Sequence, residues 1–268
     1  MVIRPRQSAL ALLLALTAGC SISEEREIAL GRANAEEIET RFPLVTDTVV
    51  TAYVQALGAR LAAGTSRANL PWRFTVIDSK DVNAFALPGG FVYVNRGLIE
   101  RSDRMDELAG ALGHEIGHVV RHHSVQQLKR SGGTRIGVAL FCTVTSFCDS
   151  RTARVAIDVG GAAWLAHHSR EAETEADSEA VANTVRAGIS PEGIPALFRV
   201  LLTTRNRQPG LVQTFFASHP LEEERIDQTQ RIVDRVDPAI ERTLTRDDAA
   251  FQEMKRRLAA VKSRADTM

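Results

Sequence analysis

An excess of charge of either sign is missing. The chain has 33 Lys and Arg against 33 Asp and Glu, a formal net charge of zero, so its overall electrostatics argue for neither nucleic acid nor an anionic surface as partner. Cysteine is scarce at three residues. Long apolar runs are also missing: Ile136 to Val144 and Val155 to Ala166 are each too short to span a bilayer. There is no internal repeat and no linker rich in Gly, Pro or Ser, so a single domain is the simplest organisation. At 268 residues with 44% hydrophobic content, the chain can bury an ordinary globular core.

The N-terminus reads as a leader. Arg4 and Arg6 precede the apolar run Ala9 to Leu16, which has the length of a secretory signal and falls short of a membrane helix. It closes on Leu16-Thr17-Ala18-Gly19-Cys20, which resembles a bacterial lipoprotein lipobox, with Thr17 where Leu is usual. The resemblance implies a signal peptide over residues 1–19, lipidation at Cys20 and a Gram-negative envelope location, on the outer membrane given Ser21. The bland alternative is an ordinary signal peptide with an incidental Cys. In an oxidising periplasm Cys142 and Cys148, six residues apart, can close a small disulfide loop; in a reducing compartment they are two stray thiols.

Apolar spacing predicts helices over Ser23–Arg41 and Asp47–Ala63. The period then changes. Trp72, Phe74 and Val76 alternate with Arg73, Thr75 and Ile77, predicting a strand with one face buried, and Val82–Leu87, Pro88-Gly89-Gly90 and Phe91–Val94 predict a β-hairpin. Such a hairpin either covers the core or offers an edge strand, through Asn83, Ala84 and Phe85, to an extended peptide. A further helix is expected after a cap at Ser102 or Asp103, with Asp106 and Glu107 in its first turn. Its face of Met105, Leu108, Ala109, Leu112, Ile116 and Val119 is broad enough to be buried, and Gly110, Gly113 and Gly117 permit close packing. The Gly-rich, apolar stretch from Ser131 to Leu165 has no clean period and reads either as a mobile lid that occludes a cleft or as one or two buried helices, a helical hairpin over or beside the cleft being the favoured expectation. Helices are expected over Ser169–Arg186, from Ser190-Pro191 to about Thr203, after His219-Pro220, and beyond Asp237-Pro238, the last charged.

The chemistry sits in Gly113-His114-Glu115-Ile116-Gly117-His118-Val119. Residues four apart share one helix face, so His114 and His118 can hold one metal ion, and Glu115 becomes a candidate general base toward a water activated there. A hydrolytic zinc site normally has three protein ligands. Arg121 and Ser124 stand where one class of such sites has Gly and His, which excludes that class. His122 is carried off the metal face by the helical turn. The stretch Ser169–Asp177 is the better source, because Glu173 and Asp177 share a face and can supply one carboxylate to the metal and a second to a ligating imidazole; by spacing alone Glu171, Glu175 and Glu179 compete.

Four blocks, in order, resemble peptidase family M48: Asn83 to Gly90, His114 to His118, Ser169-Arg170 with Glu173 to Asp177, and Ser218-His219-Pro220. The resemblance implies an α+β, mainly helical zincin-like metallopeptidase fold with a small β-sheet beside the motif helix. It implies one zinc ion on His114, His118 and Glu173, with Asp177 behind them and Glu115 as base. His219 is implied to stabilise the oxyanion or to occupy the open metal position at rest. His167 and His168 match no role, and His122-His123 stands where the family pattern often has a single His. No tetratricopeptide-like repeat follows Asp237, so the chain after about residue 237 reads as a helical extension of the one domain, residues 20–268. The expected substrates are unfolded or misassembled envelope proteins, cleaved in quality control. The competing expectation is a chaperone or assembly factor for outer-membrane proteins with little proteolytic activity.

Overall fold

The computed structural model describes residues 22–130 and 168–263. The leader with Cys20, the Cys142 and Cys148 pair, the stretch 131–165 and His167 lie outside them. In chain order the elements are α1 (Glu24–Arg41), α2 (Thr48–Ala62), β1 (Arg73–Ile77), β2 (Ala84–Leu87), β3 (Phe91–Asn95), α3 (Arg96–Arg101), α4 (Met105–Val120), α5 (His123–Arg130), α6 (Arg170–Arg186), α7 (Gly193–Arg207), α8 (Pro209–Ser218), α9 (Glu223–Val233), α10 (Pro238–Glu241) and α11 (Ala249–Ala260). The fold is mainly helical with one small mixed sheet, the α+β class that the sequence implied. No described helix is long and apolar enough to cross a membrane.

Helix α4 is the organising element. All sixteen of its residues are buried, as suits a helix packed on several sides. α2, α6, α7 and the sheet surround it, and Leu108, Leu112 and Ile116 are fully enclosed. Its start differs from the expected cap. Ser102 closes α3, with its N–H and hydroxyl both donating to Leu98 O, and α4 begins at Met105 after Arg104. The Glu107 carboxylate instead reaches back past the N-cap residue Arg104 and accepts from the Asp103 N–H at 2.7 Å.

The sheet order is β1-β3-β2, with β1 parallel and β2 antiparallel to β3. β1 has the one buried face expected, with Phe74 and Val76 inside, Arg73 exposed and Thr75 half-buried, while the sheet as a whole is covered on both faces. Phe74, Val76, Ala84 and Ala86 join the main core, and Ile77, Phe85, Leu87 and Tyr93 form a second cluster with α1 residues such as Ala35 and Ile38. The hairpin turn is held from α1: buried Glu27 accepts from the Gly89 N–H at 3.1 Å and pairs with Arg67 at 2.8 and 3.0 Å. Gly89 has φ +75 and a Cβ there would lie 2.6 Å from Ile28 Cα, so only glycine fits this turn.

Two further differences concern the C-terminal half. Pro191 sits in a turn and α7 starts at Gly193, reaching Arg207 rather than Thr203. The expected charged final helix is two helices, and the second is not a mere surface element. Phe251, Met254 and Leu258 of α11 are completely buried in the main core, where α11 packs on α2 and α3.

Candidate metal centre

Each side chain of the site is delivered by a local feature of its own element. The 3.6-residue period of α4 puts His114 and His118 one turn apart, both buried, with Nε2 atoms 2.9 Å from each other. Helix α6, capped by the Ser169 hydroxyl accepting from the Ala172 N–H, crosses α4 closely enough to insert Glu173 and Asp177. The crossing depends on Gly117: a Cβ there would meet Ala176 O at 2.9 Å and Ala176 Cα at 3.0 Å. His219 ends α8, where Pro220 favours the extended backbone seen at φ −122 and ψ 93.

Donor atoms of His114, His118, Glu173 and His219 lie within 4.8 Å of one another, and all four residues are buried. His114 Nε2 is 3.4 Å from Glu173 Oε2, His118 Nε2 is 3.5 Å from Glu173 Oε1, and His219 Nδ1 is 3.1 Å from Glu173 Oε1. A tetrahedral ion with metal–ligand bonds near 2.0–2.1 Å needs donors roughly 3.3 Å apart. The observed spacings fit that requirement. So does the chemistry of the donor set, because Asp177 Oδ1 sits 2.8 Å from His114 Nδ1, which places the N–H there and turns the Nε2 lone pair toward His118 and Glu173.

The electrostatics suit a bound cation. Burial disfavours charge on His114, but Asp177 and Glu173 outweigh it and raise its pKa to about 9, so the ring carries a proton that a metal ion can displace. Burial likewise opposes ionisation of Glu173 and Asp177, yet both remain carboxylates. Glu173 is held well below the usual range by the charges of His219 and Arg225, and Asp177 is lowered chiefly by Arg225. Glu115 behaves differently. Burial raises its pKa, against the lowering influence of His219 and His114, and its Oε1 is 3.5 Å from His219 Nε2. A buried carboxyl raised in this way is suited to take and return a proton.

Glu171, Glu175 and Glu179 take no place in the donor set: Glu171 is exposed, Glu175 contacts His123, and Glu179 pairs with Arg121 at 2.8 Å. His122 points to Glu27 instead, 3.3 Å away. Asn83 and Ala84 are buried, and Asn83 Oδ1 accepts no hydrogen bond from a described residue. The Phe85 ring stacks on Tyr93 at 5.1 Å in the α1-side cluster, across the sheet from α4.

Three residues at the site were not anticipated from the sequence. Arg225, within a run of Glu that reads as a helix start, donates to both oxygens of Asp177 and also contacts Glu173. His168 lies with its ring 3.9 Å from that of His118, nearly parallel, and is buried. His123 meets His118 Nδ1 at 2.9 Å. The density of His on either side of the motif was the only available signal.

A motif helix with two His and a Glu, joined by a carboxylate from a second helix and backed by a small sheet, defines a zincin-like metallopeptidase site. The chain belongs to peptidase family M48, whose sequence profile it matches over residues 49–233. It is 26% identical to the beta-barrel assembly-enhancing protease of Yersinia pestis over 89% of this chain and 50% of that protein, and 26% identical to that of Escherichia coli (strain K12) over 84% and 47%. Metalloprotease YcaL of the same Escherichia coli strain is 33% identical over 65% of this chain and 66% of its own length. The chain thus spans about half the length of the two assembly-enhancing relatives.

Proposed function

We propose that this protein is a zinc-dependent endopeptidase of the bacterial cell envelope, tethered by lipid at Cys20 and acting on unfolded or misassembled envelope proteins. The observation that carries the activity is the convergence of His114, His118 and Glu173 beside the buried carboxyl of Glu115. The leader with its lipobox and the names of the assembly-enhancing relatives support the location and the substrate class.

A zinc ion held by His114, His118 and Glu173, when bound, supplies an acidified water and polarises the scissile carbonyl. Glu115 takes the proton from that water and returns it to the leaving amine. Asp177 keeps His114 in the tautomer that ligates, and Arg225 keeps Asp177 and Glu173 ionised. The β2 register pairs Phe85 with Tyr93 and Leu87 with Phe91, and Asn83 O accepts from the Asn95 N–H. Alternate pairs in an antiparallel ladder exchange hydrogen bonds, so the backbone groups of Ala84 and Ala86 point away from β3; both residues are buried, so this edge takes an extended substrate, irrespective of its side chains, only once it is uncovered. Asn83 Oδ1 offers one more acceptor beside them.

His219 shares the donor cluster with the three ligands, which supports its holding the fourth position at rest and turning to the oxyanion when substrate enters. Four protein donors also favour the second reading, an assembly factor whose closed metal site is structural. Glu115→Gln separates the two. On the proposed reading the variant keeps wild-type zinc stoichiometry while cleavage of an unfolded reporter falls by at least about 100-fold, the size of a lost general base. A variant that cleaves like wild type overturns the enzymatic assignment of Glu115, and one that fully replaces the wild-type protein in cells without cleaving establishes the assembly role.

A further inference from the structure

An imidazole that ligates a metal through one nitrogen is fixed in rotation and tautomer by what its other nitrogen meets. For His114 that partner is Asp177. For His118 the partner is a second histidine. His118 Nδ1 faces His123 Nδ1 at 2.9 Å, and His123 Nε2 lies 3.2 Å from Glu175 Oε2. We propose that His123 and Glu175 form a positioning relay, from the protein surface to His118, that sets the ligating tautomer of His118 and tunes metal affinity. This rests on the reading of His114, His118 and Glu173 as metal ligands.

The direction of the relay follows from which atoms can donate. A carboxylate only accepts, so His123 carries its proton on Nε2 and donates it to Glu175. Its Nδ1 is then a lone pair, which accepts from His118 Nδ1–H. His118 Nε2 is left as the lone pair directed at His114 Nε2 and Glu173, where the metal ligands converge. Each member has one role it can play, and the order is fixed from the Glu175 end.

The backbone supports the same conclusion. Among the described residues, His122 is the one non-glycine residue with positive φ, at 57, a conformation that costs free energy unless the surroundings demand it. That turn ends α4 and starts α5 directly at His123, folding the His123 ring back against the ligand it follows by five residues. The ring is buried, with 5% of its side chain exposed, whereas Glu175 is 54% exposed. His168 covers one face of His118 by stacking, so its rotation is restricted there while its Nδ1 is held by His123.

The test is zinc affinity of the purified full-length protein, by competition with a chromogenic chelator. His123→Leu should bind zinc about 10–100-fold more weakly than wild type, the usual cost of removing a partner behind a ligand. His123→Asn places an amide oxygen where Nδ1 accepts and should stay within about threefold of wild type. Glu175→Ala, at an exposed position that folding tolerates, should weaken zinc by a few-fold, with recovery in Glu175→Gln, whose oxygen still accepts. Wild-type protein that takes up no zinc overturns the metal reading itself. Wild-type protein that binds zinc while His123→Leu and Glu175→Ala bind it equally well overturns the relay alone, as does an Asn variant as weak as the Leu variant.

Discussion

Arg225 grips Asp177 with two parallel hydrogen bonds, Nε to Oδ2 at 2.8 Å and Nη2 to Oδ1 at 2.7 Å, and both groups are almost wholly buried. Thr229 adds a third donor to Oδ2 at 3.1 Å, and the same guanidinium lies over the Phe198 ring at 4.7 Å. This pair joins α9 to α6 directly behind the metal ligands.

Breaking a buried ion pair by deleting one partner leaves a stranded charge and typically costs about 3–5 kcal/mol. Arg225→Met strands two carboxylates at once, Asp177 and Glu173. The zinc-free variant is therefore expected to lose about 3 kcal/mol or more in urea unfolding, and the zinc-loaded variant less, because the bound cation neutralises Glu173. Arg225→Lys should recover little, since an ammonium cannot reproduce the planar two-bond contact. Equal losses with and without zinc would show that Glu173 does not feel this charge.

The neighbouring glycines of α4 give an internal comparison. At Gly117 a Cβ meets backbone of Ala176 at 2.9–3.0 Å, whereas at Gly113 it meets Ala180 at 3.4–3.6 Å, an ordinary contact. Alanine gains up to about 1 kcal/mol over glycine inside a helix. Gly113→Ala is expected to be neutral or slightly stabilising. Gly117→Ala should destabilise by about 1–3 kcal/mol, the usual cost of overpacking, and should weaken zinc binding because it pushes away the helix carrying Glu173. Both effects are read from chemical unfolding and chelator competition, and similar behaviour at the two sites would refute the close-crossing argument.

What the sequence made legible was local. His114, Glu115 and His118 lie within five residues on one periodic helix, and Glu173 with Asp177 lie within five on another, so helical geometry alone placed each group on a face. The resemblance to M48 chose Glu173 among four acids; spacing did not. The hairpin, announced by Pro88-Gly89-Gly90, formed as expected because its turn chemistry is also local. What escaped depends on tertiary packing. Arg225 reaches its partner across 48 residues, and nothing in Glu223-Glu224-Arg225 distinguishes an inward guanidinium from a solvated one. Phe251, Met254 and Leu258 dispersed in a charged segment gave little sign that α11 would close the core over α2. The cover over Ile77, Phe85, Leu87 and Tyr93 on the sheet's other face depended on where α1 came to rest.

Asp106 carries a pH dependence with a definite sign. It is fully buried in the first turn of α4, and burial raises its pKa to about 6, against hydrogen bonds from Arg104 at 3.0 and 3.3 Å. A carboxyl whose pKa is raised on folding favours the native state when protonated. Its contribution is therefore fully present below about pH 4, the unfolded value, and is lost as pH rises through about 6. The helix N-terminus favours the charged form and Arg104 is partly exposed, so the loss is about 1–2 kcal/mol rather than the larger figure that the shift alone implies. Asp106→Asn keeps an acceptor for Arg104 and removes the titration. The variant should match wild type near pH 4 and exceed it in stability by that amount at pH 7, in urea melts of the zinc-free protein. A difference that stays constant from pH 4 to pH 7 would mean that Asp106 is charged in the folded protein throughout, with Arg104 and the helix terminus compensating its burial in full.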